Sequence, residues 1–248
     1  MLESLRSARG VFRSLRIYYG DQDRRAAMDR LYARFTSPGD LVFDIGSHVG
    51  DRVAAFRRLQ ARVVALEPQP ALVRTLRLLY GRDPNVCIEA VAVGSRSGLV
   101  KLSVNVDNPT VSSASPDFID AAAGAPGWEN QTWATRLEVP LTTIDALLRK
   151  HGMPAFIKID VEGFEAEVLA GLSAAVPALS FEFTTIQRDV ARACIEHCVA
   201  LGYRKFNASI GESHTFEHPT WIDASALATW VAALPAGANS GDVYACLT

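Results

Sequence analysis

No apolar run in this 248-residue chain approaches the roughly eighteen residues that a membrane-spanning helix needs. The N-terminus also lacks the apolar stretch of a secretory signal. The expectation is a soluble, cytoplasmic protein with no membrane span. Cysteine is scarce: Cys87, Cys194, Cys198 and Cys246 are scattered without paired-finger spacing, so neither a disulfide framework nor a zinc finger is expected. Cys194, His197 and Cys198 share one helical face in "ARACIEHCVALG", but no fourth ligand follows, and core packing is the expected role. An excess of charge is missing too. A formal charge of -2 and a pI of about 6.2 argue against a general polyanion binder, hence against a nucleic-acid partner. Arg6, Arg9, Arg13 and Arg16 do cluster near the start, where a solvated helix face is a simpler account than a membrane or an acidic partner.

What is present is alternation. Residues 1–38 read as an N-terminal helical extension, with Leu31, Tyr32 and Phe35 at helical spacing, and "SPGD" ends it. From residue 39 to 248 short apolar strands and amphipathic helices take turns. "LVFDIG", "RVVALEP", "NVCIEAVAVG", "AFIKID" and "ALSFEF" read as strands. "VGDRVAAFRRLQ", "PALVRTLRLLYG", "GFEAEVLAGL" and "RDVARACIEHCVALG" read as helices between them. "GLVKLSVNV" alternates strictly, as a half-exposed strand would, and "RLEVPLTTI" reads as extended. Thr142 with Asp145 resembles a capping box opening "DALLRKHG", and "YRKFNASI" and "DVYACLT" close the chain. Such alternation predicts one doubly wound α/β domain with a parallel sheet covered on both faces. Residues 107–135 break the rhythm, being rich in Ser, Asn, Pro, Gly and Ala, with Trp128 and Trp133 as their large anchors. The expectation there is a mobile substrate lid.

An aspartate in the first strand needs an explanation, because an ionised carboxylate is costly to bury unpaired. In "FDIGSHVG" Asp44 stands between Phe43 and Ile45, at the first strand-to-helix turn, where open α/β sheets bind ligands. The turn fits neither a dinucleotide fingerprint nor a phosphate-cradling loop, since His48 and Asp51 replace two required glycines and "DRV" stands where Gly-Lys-Ser/Thr is needed. Gly46 allows a sharp turn, Gly50 lets the helix begin close to a ligand, and Asp44 favours a cationic ligand over a phosphate. Glu67, ending the second strand about twenty residues on, can accept from both hydroxyls of a ribose. A phosphate-free, positively charged, ribose-containing ligand is S-adenosyl-L-methionine.

"FDIGSHVGD", "VVALEPQP" and "FIKIDVEGFEAEVLAGL", in this order, resemble the corresponding blocks of the FkbM family of methyltransferases. The resemblance spans roughly residues 39–183, and the third block is the most specific. It implies the class I methyltransferase fold: a single Rossmann-like domain with a mostly parallel seven-stranded sheet, helices on both faces and an antiparallel C-terminal strand. It also implies S-adenosylmethionine-dependent O-methylation of a hydroxyl on a sugar, glycolipid or polyketide-type metabolite. By the matched positions, Asp44, Gly46, Ser47 and Gly50 would line the methionine end of the cofactor and Glu67 with Pro68 the ribose. Ala90 and Val91 would approach the adenine, and Asp160 would touch cofactor or acceptor.

Displacement at a sulfonium methyl chiefly needs alignment, and an alcohol acceptor also needs a base. The candidates are Asp160, Glu182 and His48. Glu162, Trp128 and Trp133 are candidate acceptor contacts. Glu162 would otherwise be a helix cap, the tryptophans would otherwise pin the loop, and Lys158 would bridge to Glu182 across neighbouring strands. Asp160 and Glu182 could supply two ligands to a divalent metal, short of the six that magnesium takes, and no metal is expected. The expected partner is a small-molecule or glycan acceptor, and a homo-oligomer is possible. Two other readings stay open: a non-catalytic S-adenosylmethionine-binding module, and a nicotinamide-dependent oxidoreductase.

Overall fold

The computed structural model describes residues 2–247, so Met1 of the helical extension and Thr248 of the last stretch lie outside the described residues. Two helices, α1 (Leu2–Tyr19) and α2 (Gln22–Tyr32), precede β1 (Leu41–Ile45), α3 (Asp51–Arg58), β2 (Arg62–Leu66), α4 (Pro70–Tyr80) and β3 (Val86–Glu89). Then come β4 (Ala92–Val93), β5 (Gly98–Val104), α5 (Pro116–Ala122), β6 (Thr135–Thr142) and α6 (Ile144–His151). The chain continues with β7 (Phe156–Ile159), α7 (Glu165–Leu169), β8 (Ala178–Thr184) and α8 (Arg188–Leu201). It finishes with β9 (Lys205–Ile210), α9 (Ala224–Ala233) and β10 (Ser240–Cys246).

Seven strands form the main sheet in the order β3-β2-β1-β7-β8-β10-β9. All pairings from β3 to β8 are parallel, while β10 runs antiparallel between β8 and β9. This is the class I methyltransferase fold that the resemblance implied. Apolar side chains crowd both faces: Phe43, Ile157 and Phe181 belong to one core cluster, Val42, Phe56 and Phe156 to the other. Each such side chain contributes about 1.5–3 kcal/mol by leaving water. Strand order reverses between β1 and β7, so the first turn opens at the switch point, beyond the carboxyl ends of both.

The structure departs from the sequence reading in four places. "NVCIEAVAVG" is two strands, β3 in the main sheet and β4 in a separate three-stranded sheet, β4-β6-β5. Helix α6 is capped by Thr143, whose hydroxyl accepts from the Ala146 amide at 3.1 Å, one residue past the expected Thr142. Asp145 instead accepts from the Ser173 amide. Residues 107–135 also fold more than their composition suggested. Ser115 caps α5, with Pro116 in its first turn, and Val111, Phe118, Ala122 and Trp128 form a small core of their own. Finally, Lys158 does not bridge to Glu182. The β7–β8 register sets Lys158 opposite Ser180, and its ammonium reaches Asp160 at 2.9 Å and Asp242 of β10 at 3.1 Å. Cys194 and Cys198 pack in the core as expected.

Candidate active site

The first turn is shaped by two close approaches. Leu66 accepts from the Gly46 and Ser47 amides, folding the chain back over β2. At Gly46 (φ 85°) a Cβ would lie 1.8 Å from the Asp160 carbonyl oxygen, so only glycine lets the turn meet the end of β7. Gly50 is tight for another reason. A Cβ there would meet Leu76 and Tyr80 of α4 at 2.7 Å, so this glycine serves helix packing and stands outside the cavity wall.

A cavity of about 300 Å³ opens beyond these strand ends, a size suited to small ligands. Asp44 lies in its wall, 1% exposed, and neither carboxylate oxygen has a hydrogen-bond partner among the described residues. Lys158 sits opposite Asp44 in register, yet its ammonium is engaged elsewhere. Burial therefore pushes the Asp44 carboxyl up to about 7. Ser47 turns its hydroxyl onto the Asp44 backbone carbonyl at 2.8 Å, fixing the turn rather than the charge.

Glu67 is organised differently. Its two carboxylate oxygens accept from the backbone amides of His48 (3.0 Å) and Gln69 (2.8 Å). Each oxygen keeps a lone pair for another donor, and burial still raises the carboxyl to about 8. Pro68, Val91 and Ala92 continue the wall, whereas Ala90 is exposed and stands outside it. The apolar face expected at Ala90 and Val91 is supplied by Val91 and Ala92, because β4 leaves the main sheet there.

His48 adopts φ 48°, which turns its ring inward: it packs edge-on against Tyr18 and its Nε2 lies 3.3 Å from the Thr110 hydroxyl. Burial drives its pKa down to about 4, so the ring is neutral at pH 7. Asp160, Glu162 and Glu182 face the same cavity. Burial works against the Asp160 charge, but Lys158 and Arg52 outweigh it and hold the carboxyl below its ordinary value. Burial, then the neighbouring Asp160, pushes Glu162 and Glu182 well above the carboxylate range. Glu162 does not cap α7. Phe164 stands at the N-cap with no side-chain cap bond, and Glu165 ties the preceding turn instead, its Oε1 accepting from the Val161 and Gly163 amides.

The two tryptophans separate. Trp128 is buried and lines the cavity, while Trp133 donates from Nε1 to the Val111 carbonyl at 2.7 Å and stands outside the wall. Sequence reasoning missed Tyr18, Arg52, Thr110 and Glu212, all in the wall. Arg52 bonds to Asp51 and, at 2.7 Å, to Glu212, and Arg24 reaches Glu212 at 2.9 Å while lying over the Tyr18 ring. The "GDR" triplet was a faint signal for Arg52. Nothing local marks Tyr18, which α1 delivers from outside the alternating region.

A family model described as the methyltransferase FkbM domain matches residues 44–216, well over half of the chain. The chain belongs to the FkbM methyltransferase family. It is therefore an enzyme of the S-adenosylmethionine-dependent methyltransferase class, and its first turn, Glu67 and the "KIDVEG" turn all lie inside the matched span. A hexuronic acid methyltransferase, AglP, of Haloferax volcanii is 26% identical over 188 residues, covering 74% of this chain and 72% of that protein. Among solved structures, precorrin-6y C5,15-methyltransferase from Geobacter metallireducens is 13% identical, with a TM-score of 0.44 over 92% of this chain and 89% of its own. Fibrillarin from Aeropyrum pernix, solved with natively bound S-adenosyl-L-methionine, is 9% identical, with a TM-score of 0.45 over 84% of this chain and 67% of its own. Among the described residues no helix is long and apolar enough to cross a membrane.

Proposed function

We propose that this FkbM-family enzyme binds S-adenosylmethionine in the cavity at the first turn and methylates a hydroxyl of a sugar-type acceptor. The observation that carries the reading is Asp44, a buried carboxylate without a hydrogen-bond partner among the described residues, facing a cavity whose wall also holds the preorganised Glu67. A cofactor carrying a sulfonium and an ammonium at one end and two ribose hydroxyls in the middle matches both. When bound, it supplies a methyl group on positively charged sulfur, open to direct displacement. Asp44 offsets the positive charge, with Gly46 and Ser47 beside it. Glu67 accepts from the ribose hydroxyls, Pro68 borders them, and Val91 with Ala92 gives the adenine an apolar face.

Transfer to an alcohol leaves a proton to be moved. His48 suits this role better than the carboxylates. It is neutral at pH 7, whereas Asp160 is tied to Lys158, and burial with the neighbouring carboxylates raises Glu182 and works against its charged form. Trp128 offers an apolar face beside Glu162, as ring faces do for sugars. The hexuronic acid named for the AglP relative supports a sugar-type acceptor of this kind. Residues 107–135 serve as a folded lid, fixed through Ser113, whose hydroxyl donates to the Glu162 carbonyl at 2.6 Å.

The test is calorimetric titration of S-adenosylmethionine, followed by turnover on a panel of uronic acid and neutral sugar acceptors. Binding with transfer to a sugar hydroxyl supports the reading. Binding without transfer to any acceptor would favour a cofactor-binding module, and binding of a nicotinamide nucleotide instead would favour an oxidoreductase.

A further inference from the structure

We propose that Asp160, Glu162 and Glu182 form a binding site for a hard divalent cation, of the magnesium or manganese kind, in the wall of the acceptor cavity. The role given to this ion rests on the methyl-transfer reading above. One oxygen from each carboxylate lies within 4.8 Å of the other two. Oxygens facing each other across a divalent ion stand about 4 to 5 Å apart, since each metal–oxygen bond is roughly 2.0–2.6 Å. The trio can therefore close on an ion with side-chain adjustment alone.

Two further observations point to a ligand. Glu162 is 7% exposed, faces the cavity, and its Oε2 has no hydrogen-bond partner among the described residues. Glu182 Oε2 is likewise unpartnered. A buried polar atom of this kind normally has a partner. Lys158 is the nearby cation, but it holds Asp160 through Oδ2 and is shared with Asp242, which leaves Oδ1 of Asp160 for an ion. A second trio, Cys87, Glu89 and His151, shows the contrast: there Glu89 already accepts from Lys150 and lies 3.1 Å from His151, so its charge is accounted for.

The backbone holds Glu162 in place against its own preference. It adopts φ 54°, and Gly163 follows at φ 85°. A Cβ at Gly163 would meet Gln187 at 2.4 Å and Phe118 at 2.6 Å, so only glycine fits beside Glu162 in this turn. Strain of this kind persists where the surroundings over-determine it, often at a ligand site. Here Glu165 and Ser113 do so, through the amides of Val161 and Gly163 and the carbonyl of Glu162.

Donors that are all oxygen select magnesium, manganese or calcium over softer metals. Three protein oxygens leave up to three positions for an acceptor with two neighbouring oxygens, completed by water. Such an ion would also let an electron-rich acceptor enter a wall that carries Asp44, Glu67 and the trio itself.

The test is titration of the full chain with Mn²⁺, read by loss of the free-ion paramagnetic resonance signal, in wild type, Glu162→Gln and Glu182→Gln. Melting temperatures in chelator serve as the folding control. The expected result is one saturable site in wild type, weakened at least ~tenfold in each variant as ligand charge is lost. Mn²⁺ should raise the wild-type melting temperature, and raise it less in the variants. No saturable binding in wild type, or binding undiminished in both variants, overturns the proposal. Titrating S-adenosylmethionine into the same preparation keeps the two readings apart. If the cofactor binds and Mn²⁺ does not, only the cation site falls; if Mn²⁺ binds and the cofactor does not, the cation site stands without the methyl-transfer role.

Discussion

Replacing Asp44 by asparagine separates a ligand carboxylate from a structural one, because the two roles predict opposite changes in stability. The Asp44 side chain is 1% exposed with no hydrogen-bond partner among the described residues, and burial lifts its pKa from 3.8 to about 7. At about 1.4 kcal/mol per pH unit, that difference is a penalty of roughly 4 kcal/mol on the charged form. The sign follows from proton binding. Between about pH 4 and 7 the folded state holds this proton more firmly than the unfolded chain does, so stability is fully present at low pH and falls as pH rises. Asp44→Asn removes the titration while keeping the shape. Its melting temperature at pH 8 should equal or exceed that of wild type, with the advantage shrinking toward pH 5. Cofactor affinity should move the other way, falling by about 1.5–3 kcal/mol, the range for a hydrogen bond to a charged group. Differential scanning fluorimetry across pH and calorimetry on the same preparations read both quantities. A variant that melts well below wild type at pH 8 yet binds S-adenosylmethionine normally would refute the reasoning and make Asp44 a support of the turn.

Other perturbations follow from the same geometry. Binding a cationic cofactor ionises Asp44 and Glu67, whose carboxyls sit at about 7 and about 8, so affinity should rise with pH through that window and binding should release protons; calorimetry in buffers of different ionisation enthalpy measures both, and pH-independent affinity would count against the assignment. Trp128→Ala should damage acceptor turnover and spare cofactor affinity, whereas Trp133→Ala, which removes the tether to Val111, should chiefly lower stability, by about 2 kcal/mol for a half-buried ring; equal effects of the two on turnover would contradict the separation. Lys158→Met should cost about 3–5 kcal/mol in urea unfolding, because it strands the buried Asp242 charge and frees Asp160. A loss below about 1 kcal/mol would show that those carboxyls simply take up protons.

Local chemistry made much of this legible in one dimension. The alternation of apolar strands and amphipathic helices is a property of residue spacing, so the doubly wound sheet could be read directly. Gly46 and Asp44 announced the first turn because the one is needed where backbone meets backbone and the other is expensive in a strand. Glu67 at the end of the second strand followed from the same logic.

What could not be read depends on which segments meet. Lys158 was visibly a charge in a core strand, but its partner Asp242 is 84 residues away on an antiparallel strand whose register no local pattern states. Residues 107–135 looked polar enough to be mobile because the short helix that carries Phe118 and Ala122 offers too little apolar stripe to read; a core forms only when that helix packs against Val111 and Trp128 from the flanking segments. Tyr18 enters the cavity wall from the helical extension, far from every motif in the chain. The convergence of Asp160, Glu162 and Glu182 needed the carboxyl end of β8 beside the strained turn after β7. Residue chemistry along the chain determined the fold and the first turn with Asp44, Gly46 and Glu67, since short-range spacing carries both. The rest of the cavity wall was decided by tertiary contacts, because its groups come from several segments and their charges have meaning only once they are buried together.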